Sequence, residues 1–316
     1  MVNSHYRMRL LSLCCLGSVF ALSGRCQKAI KSADTAGLFE PMQYSQRQIV
    51  VEAEVQDKSG KRLTGLFCLD TGAQASQLSK EKVQELNFEV VRTSTNTTAG
   101  GVRAYKRVLV PSIRLGQTEV RDLHAFYIDT SDNEQIQCPG RYGAIGTLGA
   151  DFLIGKTLTI DYGNWRLALT QRPFQLSAYR KVSDDSIELA AGFAFLKCQL
   201  PGNKKDCRLL IDTGSSEGVI FGQGMKRFVN LKTITRSGSI ATQVGPLIPV
   251  DLGTIDWMVI GKDLRQAPAT VGLCESILNS PLKTKYGIGL LGNEFMEKYI
   301  VQIDYGSKTL KLFEKQ

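Results

Sequence analysis

Apolar residues in this chain come in short runs of strand length, cut apart by turn residues. Ile49-Val50-Val51-Glu52-Ala53-Glu54-Val55 alternates as a half-buried strand does, and Asp57-Lys58-Ser59-Gly60-Lys61 is a turn after it. The next apolar run, Leu66-Phe67-Cys68-Leu69, leads directly into Asp70-Thr71-Gly72. Residues 79–86 predict a short helix with Ser79 as its cap. A Thr- and Gly-rich stretch over 93–101 follows, then strand-like stretches over 102–110 and 119–128, and a turn at Cys138-Pro139-Gly140. The pattern predicts a mainly β protein. Helical βα alternation is missing, and Gly222-x-Gly224 lacks the strand-to-helix context of a nucleotide loop.

The pattern then repeats. Leu209-Leu210-Ile211 runs into Asp212-Thr213-Gly214-Ser215, 142 residues after the first copy. A second signature, Ala144-Ile145-Gly146-Thr147-Leu148-Gly149-Ala150-Asp151-Phe152-Leu153, closes with Leu158-Thr159-Ile160-Asp161-Tyr162-Gly163. It returns as Gly287-Ile288-Gly289-Leu290-Leu291-Gly292-Asn293-Glu294-Phe295-Met296, closing with Val301-Gln302-Ile303-Asp304-Tyr305-Gly306. Asp70 lies 79 residues before Gly149, and Asp212 lies 80 before Gly292. Landmarks in near-constant register mark an internal duplication with its boundary over residues 175–188.

Composition adds limits. At 316 residues, with 43% hydrophobic and 22% charged residues, the chain has the makings of two folded domains. The formal charge of +9 comes without a dense Lys/Arg block interleaved with aromatics, so nucleic-acid binding is not expected. Basic residues precede an apolar run over 10–22, and Ala21-Leu22-Ser23 is a small-residue cleavage site. Residues 1–23 therefore read as a signal peptide, and the protein as exported, to a periplasm or outside the cell. The apolar run is too short for a stable membrane span. Arg25 directly before Cys26 disfavours a lipid anchor. Residues 24–48 read as an N-terminal arm or linker. Export permits disulfides, and Cys198 with Cys207 flanks the turn Pro201-Gly202-Asn203; Cys68 reads as a small buried hydrophobe. With two histidines and no zinc-like cysteine spacing, no metal and no cofactor are expected.

One Asp-Thr-Gly is an ordinary turn. Two, each at the end of an apolar strand and each followed by a Gly-containing apolar strand, suggest one site built from both halves. Two carboxylates held within a few ångströms cannot both ionise freely, so the pair shares one proton and titrates as a unit. Such a dyad can deprotonate water while protonating a carbonyl oxygen, which hydrolyses an amide with neither a metal nor a covalent intermediate. Asp70 and Asp212 are the candidate catalytic pair. Gly72 and Gly214 let backbone approach the carboxylates, while the Thr71 and Thr213 hydroxyls can reach across and lock the two turns.

These motifs resemble the aspartic proteases of the pepsin and retropepsin superfamily over about residues 49–313. Leu148-Gly149-Ala150-Asp151-Phe152-Leu153 is similar to the Leu-Gly-x-x-Phe-Leu segment of retropepsin-like proteins, and residues 291–296 match it with Met for the last Leu. The resemblance implies a duplicated two-lobed acid-protease fold, with a cleft between β-barrel-like lobes at 49–180 and 181–316. It implies a monomer that binds a polypeptide substrate in extended form along the cleft. Ile145-Gly146 or Leu148-Gly149 would pass behind the first turn, and Ile288-Gly289 or Leu291-Gly292 behind the second. A flap would come from residues 95–105, centred on Gly100-Gly101, with Tyr105 either its aromatic or a strand residue packed on the lobe. Residues 236–242, with Gly238, hold the corresponding place in the second half, so that either both lobes contribute a flap or one has become structural. The first motif continues with Ala73 as in retroviral enzymes, the second with Ser215 as in pepsin. A hydroxyl at Ser215 would favour the charged form of Asp212 and leave the proton on Asp70. The expected activity is aspartic endopeptidase; the alternative is a non-catalytic peptide-binding or structural surface protein on the same fold.

Overall fold

The structure, a computed structural model, describes residues 37–98, 101–128, 141–203, 207–240, 248–274 and 288–315. In chain order the first half contributes β1 (Glu40–Ser45), β2 (Gln48–Gln56), β3 (Arg62–Leu69), β4 (Gln77–Ser79), β5 (Val90–Thr98), β6 (Gly101–Leu115), β7 (Thr118–Ile128), β8 (Ala144–Leu148), β9 (Thr157–Asp161) and β10 (Arg166–Thr170). The second contributes β11 (Tyr179–Ala190), β12 (Phe193–Gln199), β13 (Cys207–Ile211), β14 (Val219–Gly222), β15 (Thr233–Ile240), β16 (Ile248–Ile255), β17 (Met258–Ile260), β18 (Leu264–Gln266), β19 (Ala269–Cys274), β20 (Ile288–Leu291), β21 (Ile300–Asp304) and β22 (Thr309–Lys315). The short helices are α1 (Lys80–Glu85), α2 (Ala150–Leu153) and α3 (Asn293–Met296). The fold is mainly β, and all these strands join one connected mixed sheet. Ser79 is the N-cap residue of α1 as expected, but its side chain makes no capping hydrogen bond.

The duplication is visible as repeated strand pairing. β3 runs parallel to β8, and β4 pairs antiparallel to β8 and parallel to β7. In the second half β13 runs parallel to β20, while β14 pairs antiparallel to β20 and parallel to β19. Parallel strands buried on both faces need near-continuous apolar sequence, which is what Phe67, Leu69, Leu148, Leu209, Ile211 and Leu291 supply. The two halves join through β9 and β21, which pair antiparallel with Gln302 opposite Thr159. β10 and β1 extend this sheet on one side, and β22 and β11 on the other. All five residues of β9 and all five of β21 are buried.

Each half also has a tight hairpin with a two-residue turn. β1 and β2 turn at Gln46-Arg47, both with positive φ (50° and 59°), and β11 and β12 turn at Ala191-Gly192 (52° and 87°). Left-handed pairs of this kind match the twist of the strands they join. The hairpin tips are exchanged between halves. Gln74 Nε2, four residues after Asp70, donates to Ala191 O at 2.9 Å, and Gly192 lies against Ala150 and Ile154. The Gln46-Arg47 tip reaches the second half in the same way, where Arg47 pairs with Glu294 (3.2 Å) and Glu297 (3.3 Å).

Cys198 and Cys207 form a disulfide across β12 and β13, as their spacing predicts. Cys68 is buried in an apolar cluster with Val50 and Ala144, as its reading as a small buried side chain expects, and it is also disulfide-bonded. No helix among the described residues is long and apolar enough to cross a membrane.

Candidate active site

Asp70 and Asp212 each follow a buried parallel strand, and each is anchored by its own backbone. Asp70 N–H donates to Leu148 O and Asp212 N–H to Leu291 O, both at 3.0 Å. Leu148-Gly149 and Leu291-Gly292 are therefore the segments beside the two turns. Ile145-Gly146 and Ile288-Gly289 lie further back, with Gly146 opposite Phe67 and Gly289 opposite Leu209. A side chain on Gly149 would strike the backbone of Ala73 and Ala75, and one on Gly292 the carbonyls of Ser215 and Glu217. Only glycine permits this approach.

The two turns are locked together. Thr71 N–H donates to Thr213 Oγ1 at 3.0 Å, and Thr213 N–H to Thr71 Oγ1 at the same distance. The hydroxyls continue across, Thr71 Oγ1 to Ile211 O (2.7 Å) and Thr213 Oγ1 to Leu69 O (2.8 Å). Both threonines are completely buried, so these four bonds have no water to compete with them. Gly72 and Gly214 sit at the crossing. A Cβ on Gly72 would collide with the Asp212 carboxylate, and one on Gly214 with that of Asp70.

This arrangement sets each carboxyl against the glycine of the opposite turn, so that the two face each other across the crossing and influence each other's ionisation. Gly72 N–H donates to Asp70 Oδ1 (2.8 Å), and Gly214 N–H to Asp212 Oδ1 (2.9 Å). Each aspartate keeps part of its surface open to solvent, yet the crowding of protein around the carboxyls raises both above the ordinary aspartate value. Asp212 rises further. After burial, the largest cause is the charge of Asp70 beside it. The pair therefore holds a proton to higher pH than a free aspartate does. The Ser215 N–H donates to the Asp212 backbone carbonyl at 3.2 Å. Ser215 Cβ lies close to Gly292.

The segment read as a flap forms the antiparallel hairpin of β5 and β6, with Thr98 opposite Gly101. Gly100 lies outside the described residues, and Gly101 begins β6. Tyr105 packs at a tilt of 56° on Phe126, 5.5 Å between centroids, in a small cluster with Ala75 and Ile128. Gly238 lies opposite Val250 in the matching hairpin of β15 and β16, exposed and with no atom within 4 Å of the Cβ position.

Several residues at the site carry no signal in a single sequence. Asp151 accepts from Ser76 N–H (2.8 Å), Ser76 O–H (2.6 Å) and Phe152 N–H (2.9 Å), while Ser76 Oγ accepts from Gly149 N–H (3.0 Å). Burial raises the Asp151 carboxyl, and the Ser76 bonds oppose the rise. On the other half, Gln48 Nε2 donates to Gly214 O at 2.9 Å. Asn293 there stands where Ala150 stands in the first half, and that difference between the repeats was the available signal. No group of three or more His, Cys, Asp or Glu side chains among the described residues is placed to hold a metal ion.

No curated protein matches the chain. Residues 51–152, which span Asp70-Thr71-Gly72, the β5–β6 hairpin and Leu148-Gly149, match the family described as aspartyl protease, so this region is similar to that family.

Proposed function

We propose that the protein is an aspartic-type endopeptidase that hydrolyses polypeptides with a water activated by Asp70 and Asp212. In this reading, residues 49–180 and 181–316 are two β-barrel-like lobes. The substrate lies extended in the cleft between them, and the two hairpins at β5–β6 and β15–β16 cover it. The observation that carries the reading is the packing of each carboxyl against the glycine of the opposite turn, inside the Thr71–Thr213 lock. A turn residue serving only structure has no need of a second carboxylate facing it, and the desolvation of both costs stability.

The chemistry follows from the shared proton. The ionised member of the pair takes a proton from a water lying between the carboxyls as the water oxygen attacks the scissile carbonyl carbon. The protonated member gives its proton to the carbonyl oxygen, forming a neutral gem-diol. Proton transfer to the amide nitrogen then lets the C–N bond break, releasing a carboxylic acid and an amine and restoring one proton to the pair. Thr71, Gly72, Thr213 and Gly214 hold the carboxyls at this separation. The signal-like residues 1–23 support export to a periplasm or beyond the cell, with the mature chain acting as a monomer.

Incubating the mature protein with a peptide library tests the proposal. Internal cleavage, blocked by a statine-type transition-state mimic, is expected. Binding of peptides without cleavage at any acidic or neutral pH would favour the non-catalytic alternative.

A further inference from the structure

Asn293 is completely buried, and every polar atom of its amide is used. Its Oδ1 accepts from Tyr162 O–H (2.7 Å), and its Nδ2 donates to Arg47 O and to Thr213 O, both at 2.7 Å. The last bond bears on the carboxyls. Thr213 C=O and Gly214 N–H belong to one peptide plane and point in opposite directions, so a bond at the carbonyl end sets the aim of the N–H end. That N–H donates to Asp212 Oδ1. Gln48 holds the next peptide of the turn. Its Nε2 donates to Gly214 O, and the N–H of that same peptide, on Ser215, donates to the Asp212 backbone carbonyl at 3.2 Å. A donor at the carbonyl also polarises the peptide and strengthens what its N–H can give.

We infer that Asn293 and Gln48 are positioning residues for the pair: from behind, Asn293 aims the Gly214 N–H at the Asp212 carboxyl, and Gln48 fixes the next peptide of the same turn. The first half has no such arrangement at the matching position, because Ala150 there has no amide to offer. Gln48 and Arg47 belong to the exchanged hairpin tip, so the second aspartate is adjusted by a segment of the first half. The fully satisfied amide fixes its own orientation: Tyr162, itself buried, can only donate to its oxygen. The Gly214 N–H acts against the burial and the Asp70 charge that push Asp212 upward, and keeps the shared proton labile enough to be given to a substrate.

The ionisable groups within reach are Asp70 opposite Asp212 and Tyr305 near Asp70, with Tyr44, Tyr162, Arg47, Glu294 and Glu297 around Asn293. The inference rests on the proteolytic reading only for its kinetic part, so the test reads titration as well. The carboxyl ¹³C shifts of the pair are followed against pH in the full mature chain and in Asn293→Ala, Gln48→Ala and Tyr162→Phe. Misaimed donors stabilise the anion less, so the upper titration step moves to higher pH, by about half a unit in each of the first two variants. With a cleavable peptide, kcat falls and KM stays, since no substrate contact is lost. If Asn293→Ala does not fold, Gln48→Ala and Tyr162→Phe carry the test. An upper step unmoved in the folded variants overturns the inference. A shifted step in a protein that cleaves nothing sustains it and defeats the proteolytic reading instead.

Discussion

Thr71 and Thr213 exchange hydrogen bonds in both directions, each N–H donating to the other's hydroxyl oxygen at 3.0 Å. The bond pair spans 142 residues of sequence and joins the two halves directly beneath Asp70 and Asp212. Thr71→Ala removes the acceptor for Thr213 N–H and the donor to Ile211 O, and leaves both partners buried. It is expected to destabilise the protein by about 2–4 kcal/mol, read as a shift in the chemical-denaturation midpoint. Thr71→Ser keeps the hydroxyl and retains most of the stability. Equal losses in the two variants would mean that the methyl group, not the hydroxyl, matters.

Gly72→Ala tests the close approach of the turns. Its Cβ has no room beside the Asp212 carboxyl, so one of the two must move. A displacement of the order of an ångström lowers kcat by about 100-fold, with a smaller effect on the thermal midpoint. Gly60→Ala is a useful comparison, because that glycine sits in an exposed turn far from either aspartate. Comparable loss of activity in both would remove the steric argument.

Stability should fall with pH because of the pair. Unfolded, both aspartates ionise near their ordinary value of 3.8; folded, both carboxyls are raised. Above that value the folded state therefore binds more protons than the unfolded state, so stability decreases as pH rises through the raised values. The penalty is absent below the unfolded value and complete above the folded ones. Asp212→Asn removes the Asp212 share of it. The variant is expected to exceed the wild type in stability by more than about 1 kcal/mol at neutral pH, and to lose that advantage near about pH 3. Denaturant melts of both proteins across this range measure the difference directly.

The mainly β class and the two Asp-Thr-Gly turns were legible in the sequence because each is a local feature. An apolar run of strand length ending in Asp-Thr-Gly needs no distant residue to be recognised, and a repeat at constant register identifies its partner. What lay beyond reach was non-local. Nothing in Leu158-Thr159-Ile160 or Val301-Gln302-Ile303 indicates that these strands pair with each other across the two halves. Gln48 reads as the end of an arm, and only the folded hairpin brings its amide to Gly214 O. Cys68 sits in an apolar run that suits a small buried side chain, and its burial was legible there; its disulfide bond was not, because nothing local to the run indicates it.

The central claim is that Asp70 and Asp212 act as one acid–base unit. The most direct test is kcat/KM for a cleaved peptide in Asp70→Asn, Asp212→Asn and the double variant, with folding checked in each. A unit that needs both carboxyls loses at least about 1,000-fold with either single change, and the double change costs little more. Either single variant retaining a tenth or more of the wild-type value would contradict the account.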